Sequence, residues 1–204
     1  MRIHISKGNK KMGLIHSVSL DPERSCPNNV PCHGKCYAIR LLRLRKAFRD
    51  GVRENFMFQA TDTAGYFAAL RDWLTLHPQV YFRYHVAGDI PSERYWSGMK
   101  MLADSQRGTK FLAFTKRHAY CQEKRPDNLI LIASMWPGWG DPAGLMPGRK
   151  AWYESAKSQD SRKPGIVYTC PGHCPSCGYE CWENRIKTDI LFVEKRDKKV
   201  KNNS

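Results

Sequence analysis

Four cysteines crowd into one short run late in the chain, Cys170, Cys174, Cys177 and Cys181 in TCPGHCPSCGYECW, spaced C-x3-C-x2-C-x3-C. Thiols this close in sequence, with Pro and Gly letting the backbone curl, can wrap a single metal centre without help from a distant ligand. Two disulfides are the competing arrangement. They require an oxidising compartment, and the N-terminal MRIHISKGNKKMG has no apolar run like that of a secretion signal. Structural zinc usually takes paired C-x2-C knuckles separated by a longer spacer, whereas one continuous run is closer to the cysteine spacing of bacterial ferredoxins. We therefore read an iron-sulfur cluster, [4Fe-4S], with zinc as the alternative metal. His173 is read as a solvent-facing loop residue rather than an extra ligand.

A second group, SCPNNVPCHGKCY, places Cys26, Cys32 and Cys36 at C-x5-C-x3-C. Three ligands leave one coordination position open, which is what a metal needs to bind a substrate or cofactor rather than only hold a fold. Chemistry is thus expected at this triad and structure at the quartet, with one or two clusters in all. Either Cys121, in HAYCQEK, or His33 could instead close the triad as fourth ligand.

Thirty-four Lys and Arg against nineteen Asp and Glu give a formal net charge of +15. Such an excess favours polyanions, and nucleic acid or a nucleotide is the partner expected. The densest basic stretch is RLLRLRKAFR at 40–49, within an amphipathic helix expected from Cys36 to a stop at Gly51. No stretch approaches the roughly eighteen apolar residues of a membrane span, so no membrane partner and a cytoplasmic location are expected. The polar segment 194–204, EKRDKKVKNNS, reads as a disordered basic tail.

Short apolar runs alternate with helical spacing along the rest of the chain, the pattern of an α/β fold with a parallel sheet. Strands are expected at 13–20, 80–86, 110–114, 129–134 and 165–169. Helices are expected at 63–77 and from a Ser92 cap through Leu102. The Gly- and Pro-rich 136–150 is read as an ordered loop without a phosphate-binding motif, its Trp136 and Trp139 packing in the core. Arg83, His85 and Lys116 lie on or just after strands, near the carboxyl ends where α/β folds place ligand groups, and are candidates to contact a phosphate or carboxylate of the substrate. One domain is expected over 1–193, with a cluster loop at 24–37, a cysteine segment at 169–182 and the tail at 194–204.

A strand ending in a three-cysteine loop, then Tyr37 and a helix, resembles the start of radical S-adenosylmethionine enzymes. That resemblance implies a cluster on Cys26, Cys32 and Cys36 whose free iron binds the methionine part of S-adenosylmethionine, with Tyr37 beside the cofactor. The usual spacing there is C-x3-C-x2-C, from which this chain departs. His-Val-Ala-Gly-Asp at 85–89 resembles the Gly-Gly-Glu type motif of the same enzymes, which implies that Gly88 and Asp89 contact the cofactor's amino group. Across 7–182, the motifs GNKKMG, CHGKCYA, RYHVAGD, FLAFTKR and the terminal C-x2-C-x3-C-W resemble the phage "gene product 88" family of cysteine-rich proteins. This second resemblance implies a phage or mobile-element origin, hence the host cytoplasm, and a partial (β/α) barrel like that of the radical enzymes with a C-terminal metal-binding segment. The function expected is an iron-sulfur protein, of enzymatic type, acting on nucleic acid or nucleotide. The alternatives are a zinc-stabilised, non-catalytic nucleic-acid-binding protein and an iron-sulfur protein of electron transfer or redox sensing.

Overall fold

Apolar runs such as KFLAFT and LILIASM need cover on both faces, and the architecture supplies it. The structure is a computed structural model that describes residues 1–136, 139, 148–154 and 167–193. Its strands are β1 (Ile5–Ser6), β2 (His16–Val18), β3 (Tyr81–Tyr84), β4 (Lys110–Thr115), β5 (Leu129–Met135), β6 (Lys150–Glu154), β7 (Val167–Thr169) and β8 (Asp189–Val193). Its helices are α1 (Pro22–Ser25), α2 (Tyr37–Leu44), α3 (Lys46–Thr61), α4 (Thr63–Leu76), α5 (Glu93–Ser105) and α6 (Glu180–Glu183). All eight strands join one sheet in the order β1-β2-β3-β4-β5-β6-β8-β7. Only β1 runs antiparallel to its neighbour; every other pairing is parallel. The α/β class with a parallel sheet is as the sequence implies, and the described strands form an open sheet, not a closed barrel.

Alternation along each strand divides the core in two, because successive side chains point to opposite faces. Phe82, Tyr84, Phe111, Ala113, Leu129, Leu131 and Trp152 pack with Phe58 of α3, Leu70 and Leu74 of α4 and Trp96 and Met99 of α5. Leu112, Ile132, Ala151 and Ile190 point the other way. There the cover among the described residues is mostly loop, with the single turn of α6: Met12 and Ile15 from the N-terminal loop and Trp182, Tyr179, Cys170, Cys174 and Cys181 from the cysteine segment close that face. Trp182 donates its indole N–H to the Phe82 carbonyl at 3.3 Å, and Tyr81 stacks on Tyr179 with ring centroids 4.7 Å apart.

The basic helix expected from Cys36 to Gly51 is two helices, and Gly51 stops neither. The chain breaks at Arg45 (φ −132°, ψ 98°), and α3 runs on through Thr61. The buried residues explain the break. In α2 they are Ala38 and Leu42, in α3 Gly51, Val52, Asn55, Phe58 and Gln59. At about 100° per residue a continuous helix would point these sets roughly 120° apart, so only a bend lets both face the body. Gly51 instead lets the His4 ring approach, 3.4 Å from where a Cβ would stand, and Asn55 hydrogen-bonds His4 through both its N–H and its carbonyl.

The other expected elements appear with shifted bounds: β2, β3 and α4 are shorter than expected, β4, β5 and α5 run slightly longer, and the Ser92 cap accepts from the Tyr95 N–H at 3.3 Å. Strands β1, β6 and β8 were not expected. Trp136 and Trp139 pack edge to face, centroids 5.6 Å apart; most of the 136–150 loop and the 194–204 tail lie outside the described residues. Among the described residues no helix is long and apolar enough to cross a membrane.

Candidate metal centre

All three triad cysteines sit at the borders of short helical elements that follow β2. Asp21 caps α1 by accepting from the Glu23 N–H at 3.0 Å, with Pro22 in the first turn where its missing N–H costs nothing. Cys26 ends that helix, Cys32 precedes a 3-10 turn over His33–Lys35, and Cys36 is the residue before α2, its carbonyl accepting from the Arg40 N–H at 3.1 Å. Ser25 ties this loop to the next: its hydroxyl donates to the Asp21 carbonyl at 2.7 Å and accepts from the Asp89 N–H at 3.1 Å. Gly88 has φ +89°, and a Cβ there would lie 2.7 Å from the Leu20 carbonyl oxygen. Only glycine fits a turn pressed this closely on the neighbouring backbone.

Asp89 has no exposed surface. Its Oδ1 accepts from Thr115 Oγ1 at 2.7 Å and the Ile90 N–H at 2.8 Å; its Oδ2 accepts from the Lys116 N–H at 2.8 Å and Lys116 Nζ at 3.2 Å. The carboxylate expected to hold a cofactor's amino group therefore already holds an ammonium of this chain. Burial alone would pull Lys116 down, but Asp89, then Cys26 and Cys32, outweigh it and raise the ammonium above its ordinary value. Burial pushes the Cys26 thiol up to about 12 and raises Cys32 as well, against the pull of Lys116 on both. Thiols so desolvated are protonated when free, and both nucleophilic attack and metal ligation require the thiolate.

The remaining expected residues divide. Tyr37 is exposed, and its hydroxyl donates to the Val86 carbonyl, bridging the start of α2 to the loop after β3. His85 does not line an opening: it is 4% exposed, adopts φ +57°, and its Nε2 meets the Tyr95 hydroxyl at 3.0 Å. Burial lowers its pKa to about 4, so it is neutral near pH 7. Arg83 lies beneath the cysteine segment, its guanidinium 4.7 Å over the Phe114 ring. Cys121 is packed in the helix-side core and His33 is exposed.

The first half of the quartet segment is held by backbone bonds to two other parts of the chain. The Cys170 N–H donates to Leu191 O at 2.9 Å and the Cys174 N–H to Lys11 O at 2.7 Å. Glu180, 2% exposed, anchors it through the Ile186 N–H at 2.7 Å, with Arg149 and Arg185 each 3.5 Å away. Burial raises the thiols of Cys170 and Cys174 and takes Cys181 up to about 12. The Gly172 N–H points at Cys170 Sγ at 3.4 Å.

The donor chemistry of both groups fits a thiolate-ligated centre: all eight cysteines are free, and the seven of the triad and quartet are partly buried. Among the described residues no three His, Cys, Asp or Glu side chains stand converged as a finished metal site. The thiols must draw together and lose their protons to bind one. The sequence did not reveal the Thr115–Asp89–Lys116 chain, since Gly-Asp after a strand is also ordinary turn chemistry.

No curated protein and no solved structure matches the chain. A family profile does, over residues 4–160, and its span stops short of Cys170 and so excludes the quartet. Because that span covers well over half of the 204 residues, the chain belongs to the Gene product 88 family.

Proposed function

We propose that this is an iron-sulfur protein in which Cys170, Cys174, Cys177 and Cys181 hold one cluster and Cys26, Cys32 and Cys36 hold a second with one ligand position open. The observation that carries the reading is the pairing of free, half-buried thiols in two short loops with a sheltered cation near each, Lys116 by the triad and Arg83 by the quartet. A cluster with an open iron supplies one-electron chemistry and a place for an exchangeable ligand such as S-adenosylmethionine. The consecutive parallel order from β2 to β6, with helices on one face, supports kinship with an incomplete (β/α) barrel of the radical-enzyme kind. In that reading Asp89 orients an amine at the triad. Asp89 would hold the cofactor's amino group, and Lys116 would supply a cation for an anionic group of the substrate. A phage-encoded protein of this type acts in the host cytoplasm, whose reducing conditions keep thiols free.

Anaerobic purification followed by absorbance, iron, sulfide and zinc analysis tests the proposal. Brown protein with iron and acid-labile sulfide is expected. Colourless protein with stoichiometric zinc and no iron, prepared anaerobically, sinks it. If the iron-loaded, reduced protein shows no spectral change with S-adenosylmethionine, the cofactor part fails alone.

A second reading is favoured by α2. Arg40, Arg43 and Arg45 are exposed, and among the described residues none forms an ion pair. These charges can track phosphates, which suits a zinc-stabilised nucleic-acid-binding protein without catalysis, and also suits a nucleic acid or nucleotide as the enzyme's substrate. Zinc content together with salt-dependent binding of a DNA oligonucleotide, lost on Arg40→Ala/Arg43→Ala, separates it from the first.

A further inference from the structure

Among the described residues Arg83 is a partly buried cation with no anion paired to it. Its Nε has no exposed surface and no hydrogen-bond partner, and its Nη1 reaches only the weak acceptor Met12 Sδ at 3.9 Å. The Phe114 ring, 4.7 Å from the guanidinium, attracts it but cannot neutralise it. Two more deeply shielded cations of this chain do have an anion: Lys116 has Asp89 at 3.2 Å, and Arg149 has Glu180 at 3.5 Å. Removing a charge from water without a counter-charge is strongly unfavourable, so a fold that keeps one implies an anion in the working state.

The neighbours identify that anion. Arg83 extends from β3 toward the face that the cysteine segment covers, where Phe114, Met12, Cys170, Cys174 and Cys181 pack together. The Cys174 N–H bonds Lys11, the residue before Met12. Neutral thiols offer the guanidinium nothing, but four thiolates around a divalent ion, or around a cluster core of the same charge, leave a net dianion. We infer that Arg83 is the counter-cation of the centre held by Cys170, Cys174, Cys177 and Cys181, so that metal loading and the charge of Arg83 stabilise each other. The assignment rests on the reading that the quartet holds metal. It takes Arg83 away from substrate contact and makes it a positioning and charge-balancing residue.

The test compares the full chain with Arg83→Met and Arg83→Lys, each prepared metal-free and loaded with zinc(II) or with iron and sulfide. Arg83→Met keeps apolar bulk over Phe114 and removes the charge. Metal-free Arg83→Met should unfold at a temperature equal to or above that of the wild type, and the metal-loaded form below it. Metal release to a chelator should be about tenfold faster, as for other residues that support metal ligands, with Arg83→Lys close to wild type. In the iron-loaded form the midpoint potential should fall, because the reduced, more anionic centre loses more stabilisation than the oxidised one when the cation is removed. Equal destabilisation of both forms with an unchanged release rate overturns the assignment alone, because Arg83 is then only packing. A wild-type chain that takes up neither zinc nor iron overturns the underlying metal reading, and the assignment with it.

Discussion

Lys116 Nζ lies 3.2 Å from Oδ2 of Asp89, a carboxylate with no exposed surface that also takes the Lys116 backbone N–H, the Thr115 hydroxyl and the Ile90 N–H. One side chain thus joins the turn after β3 to the end of β4, directly beside Cys26 and Cys32. Asp89→Asn leaves the ammonium without its anion and turns a donor toward donors. It should cost about 3–5 kcal/mol, the range for breaking a buried pair from one side. Lys116→Met should cost less, since three hydrogen bonds to Asp89 remain, and the double variant should recover part of the Asp89→Asn loss. Urea titrations measure all three; an Asp89→Asn effect below about 1 kcal/mol would show the pair to be dispensable.

His85 predicts an acid-sensitive fold. Burial lowers its pKa from 6.5 to about 4, so the unfolded chain binds this proton first as the pH drops. The stability linked to neutral His85 is complete above pH 6.5 and is lost as the pH falls toward about 4. Its size is about 3 kcal/mol. Denaturant unfolding of metal-free protein at pH 7, 5 and 4 should show that decline. His85→Asn, which tolerates the left-handed backbone, should flatten it even if the variant starts less stable. A wild-type curve with no slope across this window contradicts the assignment.

Gly88→Ala should be destabilising by about 2 kcal/mol or more, because a side chain there combines positive φ with a backbone clash. The methyl would meet the Leu20 carbonyl oxygen at 2.7 Å and Ser25 Oγ at 2.6 Å, and Ser25 Oγ also holds the Asp89 N–H. The loss should therefore reach the triad as well as the melting temperature. A variant with wild-type melting would mean that the turn relaxes freely.

The two cysteine groups should lose metal independently. Cys174→Ala/Cys177→Ala should abolish one centre and leave the other, while Cys32→Ala should do the reverse, read as metal per chain by elemental analysis. Because burial holds Cys26 and Cys181 at about 12, metal binding must displace protons. Calorimetric titration in buffers of different ionisation enthalpy should show that release. Equal loss of all metal in both variants would point to one shared centre instead of two.

Several parts of this architecture were legible locally. The Ser92 cap, the apolar runs of β4 and β5 and the period of α4 each depend on neighbours within one turn or one strand, where propensity and periodicity operate. The break at Arg45 was missed because RLRKAFR contains no breaker. Its only local trace is the change of phase between Ala38 and Leu42 and the buried set of α3. Strands β6 and β8 are brief, and they form because the sheet extends to receive them: β6 pairs with β5 and β8, and the Asp189 carboxylate accepts from the Lys150 N–H at 2.9 Å and the Trp152 indole at 2.9 Å.

Ligand spacing, charge excess and strand pattern are properties of adjacent residues, so the cysteine groups, the basic character and the α/β class could be read from residue order. Which face the quartet covers, that among the described residues Arg83 lies beneath it without a carboxylate, and that Asp89 is taken up by Lys116 follow from contacts between segments tens of residues apart. Burial and desolvation arise from those contacts, and they decide which charges in this protein are paired and which still require an anion.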